Sequence, residues 1–246
     1  MDFNPAKILK EFYNKPIYIS SRATNLTVEF VPKGSQPTVS ILKHFGGEER
    51  CTLEKQYYEE CGSFEFVIQK MRSKEKPIKI YLNCWDINEL NSVINSTEDG
   101  SWISKAEMNL MLERPEFGRL TSEEWKAQVD LPNSTEPVVL MRTGVQNWPD
   151  NRVGAVTTGT HLSVYFQPKS LKGDAVKKPW LLEFKRYQLE CREDMDIDRK
   201  NERTLSIQLS TEDMGRIVRY LGMKYLLWIG DEEAAEAFMR NPKIFL

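Results

Sequence analysis

The chain has 246 residues and a formal net charge of −2, with a composition typical of a folded globular protein of one large domain or two modest ones. The slight negative charge excludes a protein that coats nucleic acid through bulk positive charge, but 34 lysines and arginines allow a local basic face. No apolar run is long enough to span a membrane, and the first residues do not resemble a signal peptide, so a cytoplasmic location is expected.

The first predicted unit covers residues 1–95. A short helix over 4–14 is expected to precede a run of strands that are separated by turn signals rich in Pro, Gly and Ser. The predicted strands cover 17–20, 26–31, 38–45, 52–58, 64–71 and 78–82. A helix over 86–95 then closes the unit.

Residues 96–137 are predicted to connect the two units, with helical patterning over 105–113 and 122–129. The second unit covers 138–246. Its predicted strands cover 138–142, 152–158, 161–169, 180–191 and 204–209. Ser210 is placed to cap a helix that begins at Thr211, with Asp213 in the position of a capping box, and a further helix is expected over 234–239.

The two units look like copies of one another. Residues 26–33 match residues 162–169 at Leu, Val, Phe, Pro and Lys, and the segment from Asn83 to Ile87 corresponds to the segment from Ser210 to Met214. Strand, proline, strand, cap and helix therefore recur in the same order. This repetition predicts an α+β fold made of two tandem units of antiparallel sheet, each closed by a C-terminal helix.

Signatures of common enzyme sites are missing from the sequence. There is no phosphate-binding glycine loop, no Gly-x-Ser-x-Gly elbow and no His-Glu-x-x-His helix. The two histidines are far apart, and the four cysteines lack the spacing of a zinc site. We therefore expect no catalysis, no metal and no cofactor, while an enzyme with an unfamiliar site stays a minor alternative.

Aromatic rings and cations share the predicted strands of both units. Single-stranded nucleic acid is bound in this way, because bases stack on flat rings while cations contact phosphates. The residues expected to bind nucleic acid are Lys33, Lys43, Tyr57, Lys70, Arg72, Tyr165, Lys169, Trp180, Lys185, Arg186 and Tyr187. The same alternation is also typical of cross-strand packing, and a lysine on an edge strand often serves to prevent strand pairing.

The order of elements, several antiparallel strands closed by one helix and present twice, resembles the Whirly, transcriptional-coactivator p15 and Pur-alpha group of single-stranded nucleic-acid-binding proteins. The resemblance implies that the sheet faces grip a single strand. It also implies that the helices pack the two units together as a pseudo-dimer, and the helical residues that would then meet are Met214, Ile217 and Leu221 with Ile87, Leu90 and Ile94.

Two functions are therefore expected from the sequence. The first is binding of single-stranded nucleic acid, DNA more than RNA, in replication, recombination or transcription. The alternative is a transcription regulator or adaptor that binds a protein partner such as a polymerase through its C-terminal segment. The acidic run over 231–236 and the apolar tip formed by Ile244, Phe245 and Leu246 would then make the contact.

Overall fold

The computed structural model describes residues 15–32, 63–100, 103–106, 108, 137–146, 153–167, 177–192, 197–228 and 230–240. Within these ranges the fold is α+β, with two four-stranded antiparallel sheets that are each followed by helices. Four predicted elements lie wholly outside the described residues, namely the helices over 4–14 and 122–129 and the strands over 38–45 and 52–58. Most of the predicted helix over 105–113 also lies outside them. No helix in the part of the chain that the structure describes is long and apolar enough to cross a membrane.

The first sheet has the strand order β1-β2-β3-β4, and helix α1 follows it. Its elements are β1 (Ile17–Ser21), β2 (Thr24–Val31), β3 (Ser63–Lys70), β4 (Ile78–Leu82) and α1 (Cys84–Asp99). Burial alternates along these strands, so that Leu26 and Val28 are fully buried while Asn25 and Glu29 face solvent. One face of the sheet therefore forms the core and the other is open.

The second sheet has the order β5-β6-β7-β8, and two helices follow it. Its elements are β5 (Val138–Gln146), β6 (Val156–Phe166), β7 (Trp180–Cys191), β8 (Ile197–Leu209), α2 (Thr211–Trp228) and α3 (Glu232–Arg240). The strands predicted over 152–158 and 161–169 are one continuous strand, because Gly159 pairs with Tyr187 without interrupting the ladder. Strand β8 begins at Ile197, earlier than the predicted 204–209, since the polar residues before Thr204 pair with β7.

Local hydrogen bonds begin both long helices: α2 begins at Thr211 as predicted, whereas α1 begins at Cys84, two residues before the predicted start. The Asn83 side chain accepts from the backbone N–H of Asp86 at 2.9 Å, and the Asp86 carboxylate accepts from the N–H of Asn83 at 2.9 Å. In the second unit, Ser210 Oγ accepts from the N–H of Asp213 at 3.1 Å. Each cap satisfies backbone donors that the helix itself leaves unpaired.

A single hydrophobic core joins the two units. Phe66 of the first sheet and Phe184 of the second have ring centroids 6.5 Å apart. Helix α2 follows the second sheet and carries Trp228, whose ring centroid lies 5.6 Å from that of Phe30 in the first sheet. Helix α1 packs on α2 and also contacts β5. Residues of both units are thus buried together, and each sheet depends on side chains from the other half of the chain.

Candidate nucleic-acid interface

Several predicted binding residues lie outside the described residues. They are Lys33, Lys43, Tyr57, Lys169, Ile244, Phe245 and Leu246. Asp231, at the start of the predicted acidic contact, is described, and its carboxylate accepts from the N–H of Ala234 at 2.9 Å. That carboxylate caps helix α3, so the helix start accounts for the acidic residue at this position.

Trp180 cannot act as a stacking platform, because its side chain is fully buried. It shares the inward face of β7 with Leu182 and Phe184, and its ring centroid lies 5.1 Å from that of Phe166. The prediction that Trp180 binds nucleic acid is therefore wrong. Trp180, Leu182 and Phe184 occupy alternate positions along β7, so their side chains point to the same, core-facing side of the strand.

Tyr187 is also withdrawn from solvent, with only 4% of its surface exposed. Its ring covers Gly159 on the neighbouring strand, and the Arg199 guanidinium lies 3.6 Å from the ring centroid. With one neighbour at Gly159 and a cation stacked on the ring, no free face is left for a base. The prediction that Tyr187 stacks on a base is wrong for this reason.

Tyr165 and Lys185 lie on the outer face of the second sheet, and both contact carboxylates. The Tyr165 hydroxyl donates to Glu183 Oε1 at 3.3 Å. Lys185 Nζ lies 3.2 Å from Glu183 and 3.4 Å from Glu202. Burial acts to lower the pKa of Lys185, but the hydrogen bond and charge of Glu183, together with Glu202, raise it above its usual value. Lys185 therefore keeps its positive charge, and its charge is already paired with two carboxylates of the protein.

The outer face of the first sheet offers two exposed rings among charges of both signs. Tyr18 is 69% exposed and Tyr81 is 47% exposed. The Glu65 carboxylate lies beside Tyr81 and accepts hydrogen bonds from Lys79 Nζ at 2.7 Å and from the Tyr81 hydroxyl at 3.2 Å. Glu29 pairs across the strands with Glu65, so this face is not basic as a whole.

Cations from both units meet where the turn between β3 and β4 contacts β8. Arg203 donates to the backbone oxygen of Lys76, and its second guanidinium nitrogen lies 2.8 Å from Glu75 Oε2. Beside this contact is a cavity of about 400 Å³, lined by Lys76, Pro77, Lys79, Thr160 and Arg186. We name the four cations Lys76, Lys79, Arg186 and Arg203 the basic junction.

The charge of the basic junction is only partly compensated. Glu65 pairs with Lys79 and Glu75 pairs with Arg203. Among the described residues, no carboxylate pairs with Lys76 or Arg186. Two further predicted residues are exposed near this turn: Lys70 is the last residue of β3, and Arg72 lies in the turn between β3 and β4. The structure thus places Arg186 in a cationic cluster, and it places Arg72 in the turn that also carries Lys76.

Sequence reasoning missed Lys76, Lys79 and Arg203 as members of this cluster. The basic character of the turn is visible in the sequence, but Arg203 and Lys76 are 127 residues apart. Arg203 and Lys76 could have been assigned to one cluster only if the contact between this turn and β8 had been known.

Within the described part of the chain, no three His, Cys, Asp or Glu side chains are grouped to hold a metal ion. Comparison of the sequence with protein-family models and with curated proteins finds no match, so the candidate interface rests on the geometry of this chain.

Proposed function

We propose that this protein binds single-stranded nucleic acid, DNA more than RNA, and that the basic junction contacts its phosphates. The observation that carries the proposal is the convergence of cations from both units: Lys76, Lys79 and Arg186 line one cavity, and Arg203 contacts Lys76 beside it. Among the described residues, two carboxylates, Glu65 and Glu75, pair with these four cations. Clustered like charges oppose the compact state. An anionic ligand is the simplest reason for such a cluster, and a nucleic-acid backbone supplies repeated phosphates.

A stacking residue lies close to these cations. Tyr81 shares the carboxylate of Glu65 with Lys79, so its exposed ring is adjacent to one edge of the junction. A base stacked on an aromatic ring contributes about 1–3 kcal/mol to binding. Tyr81 therefore takes the role that the sequence assigned to Trp180 and Tyr187. Lys70 at the end of β3 and Arg72 in the turn that carries Lys76 are two further exposed cations that a bound strand would contact.

The proposal includes the arrangement of the two units as a pseudo-dimer whose helices cross between them. In support, the Thr143 hydroxyl of β5 donates to the Asp86 carboxylate at the start of α1. In the opposite direction, Trp228 of α2, in the second unit, contacts Phe30 of β2, in the first unit, through their aromatic rings. Such a protein would act in the cytoplasm, in replication, recombination or transcription.

The test is fluorescence anisotropy with a labelled single-stranded oligonucleotide of about 30 bases, long enough to exceed the site of one binding module. The double variant Lys76→Ala with Arg186→Ala removes the two cations of the junction that pair with no carboxylate among the described residues. It should weaken binding and reduce the slope of log K against log salt by about 0.7 for each lost phosphate contact.

The matched control is Lys200→Ala. Lys200 is an exposed cation on β8, and its Nζ already lies 2.6 Å from Glu190 Oε2. Its loss should leave affinity and salt slope nearly unchanged. Absence of binding by the native chain at low salt, or equal binding by the native chain and the double variant, would refute the proposal. A duplex of the same sequence should bind more weakly than the single strand.

A further inference from the structure

A second cationic cavity lies between the start of β1 and helix α2. Its volume is about 420 Å³. The described residues that line it are Lys15, Pro16, Ile17, Tyr18, Arg216, Arg219 and Tyr220. The volume falls within the range of about 300–1,000 Å³ that is typical of small-molecule sites. None of these residues belongs to the basic junction.

The cavity has three cations and little internal compensation. Arg216 Nη1 lies 3.3 Å from Asp213 Oδ1. The other oxygen of this carboxylate accepts from the Ser210 hydroxyl at 3.0 Å, so Asp213 also serves the helix start. Among the described residues, no carboxylate is within ion-pair distance of Lys15 or Arg219. The cavity therefore has a net positive lining.

The two arginines are neighbours on one face of α2, because residues three apart on a helix lie side by side. Like charges at this spacing destabilise a helix slightly, by an amount similar to the gain from an opposite pair. The Arg219 guanidinium lies beside Gly215 on the helix surface. An anion held in the cavity would relieve the repulsion between Arg216 and Arg219.

Tyrosine rings form two further parts of the lining. Tyr18 presents an open ring on the outer face of the first sheet. Burial raises the pKa of Tyr220 above its usual value, so its hydroxyl keeps its proton at neutral pH. The charge of Glu29 acts in the same direction on Tyr220 and also on Lys224, whose amino group lies 5.9 Å from the Tyr220 ring. Glu29 is thus the carboxylate that a bound anion would have to avoid.

We propose that this cavity binds a phosphate monoester attached to a planar ring, with Lys15, Arg216 and Arg219 around the phosphate and the ring on Tyr18. A free mononucleotide and the 5′-phosphorylated end of a strand share this chemistry. Arginine and lysine supply charge-assisted hydrogen bonds to phosphate, and the open tyrosine supplies a stacking surface. The proposal is independent of strand binding at the basic junction, because the two sites have no residue in common.

The first test is calorimetric titration of the full chain with AMP, adenosine and inorganic phosphate. AMP should bind to saturation, and each of the two fragments should bind at least about tenfold more weakly, because each lacks one half of the contacts. Arg219→Gln and Tyr18→Ala should each weaken AMP binding about tenfold or more. Both side chains lie at the surface of the cavity, and Lys15→Gln provides a third variant if either substitution disturbs folding.

Lys200→Gln is the matched control, since it removes an exposed cation that lines neither cavity and already pairs with Glu190, and it should leave AMP binding unchanged. The double variant Lys76→Gln with Arg186→Gln, which removes two cations of the basic junction, is used to identify the source of the phosphate. Its affinities for a 5′-phosphorylated and a 5′-hydroxyl oligonucleotide are compared. A preference for the phosphorylated end would identify a strand terminus, and binding of AMP alone would identify a free nucleotide. The proposal is overturned if neither AMP nor the 5′-phosphorylated oligonucleotide saturates the protein at millimolar concentration. It is also overturned if the Arg219→Gln and Tyr18→Ala variants both bind AMP with the affinity of the native chain.

Discussion

Replacing Gly159 with alanine should destabilise the second sheet, because the ring of Tyr187 occupies the space that the new Cβ would need. A Cβ at this position would lie 2.7 Å from Tyr187 Cζ and 3.0 Å from Cδ2, and it would overlap Cε2. Carbon atoms in contact normally lie about 3.5–4.0 Å apart. The ring therefore has to move by most of an ångström.

The ring is restrained from moving because the Arg199 guanidinium lies 3.6 Å from its centroid. Inserting a methyl group into a packed site costs about 1–3 kcal/mol. Loss of the cation–π contact would add about 0.5–1 kcal/mol. Alanine is otherwise compatible with the middle of β6, so the expected cost comes from the steric overlap and from the displaced contact between Tyr187 and Arg199.

The assay is urea denaturation followed by fluorescence, with Gly215→Ala as the matched control. At Gly215 in helix α2 the nearest heavy atom to an added Cβ is a guanidinium nitrogen of Arg219 at 3.8 Å, which is an ordinary contact. Alanine is favoured over glycine inside a helix by about 1 kcal/mol, so Gly215→Ala should raise stability. The two glycine substitutions are thus expected to have opposite signs.

A double-mutant cycle with Tyr187→Ala isolates the contact. Without the ring the space beside Gly159 is open, so Gly159→Ala should cost little in that background. The coupling energy between the two positions should account for most of the cost of the single substitution. If Gly159→Ala is neutral in the native chain, or costs the same with and without the ring, the packing role assigned to Tyr187 is refuted.

Three further predictions concern pH, charge and helix capping. Burial, followed by the charge of Arg142, lowers the pKa of His161 below its usual 6.5. As the pH falls, the unfolded chain therefore binds this proton before the folded chain does. The contribution of His161 to stability is thus complete above about pH 6.5 and decreases below it. His161→Gln should flatten this part of the stability curve in urea titrations between about pH 5 and 8, and an unchanged curve would contradict the assignment. Glu65→Gln should strengthen oligonucleotide binding in the anisotropy assay, because it releases Lys79 from its carboxylate partner; weaker or equal binding would count against the basic junction. Asn83→Ala should cost about 1 kcal/mol in thermal unfolding through loss of the helix cap, with Asn83→Ser as a control that retains an acceptor and should cost much less.

The inner faces of the sheets could be predicted from the sequence. Leu162, Val164 and Phe166 alternate with more polar residues, and all three are buried as their parity requires. Ser210 could be assigned as a cap because its partner is only three residues away. Both features depend on neighbours within one element, where spacing alone decides which groups can meet.

The choice of exposed rings could not be made in the same way. Period-two alternation divides a strand into two faces, but it does not say whether the second face is covered. Tyr187 lies on the same face as Lys185, yet the ring is buried because Arg199 stacks on it and Gly159 leaves room beneath it. Tyr18 lies in a strand of five residues and remains open to solvent.

The sequence by itself determined the order of the described strands and helices, the core-facing side of strands such as β2 and β6, and the cap of α2 at Ser210, while the ends of several elements differ from those predicted. The tertiary structure alone decided which charges act together. Arg203 meets Lys76, and Tyr18 lies beside Arg219, only because the two units share one core. Local patterns arise from backbone geometry over a few residues, whereas a binding site depends on the packing of segments that are far apart in the chain.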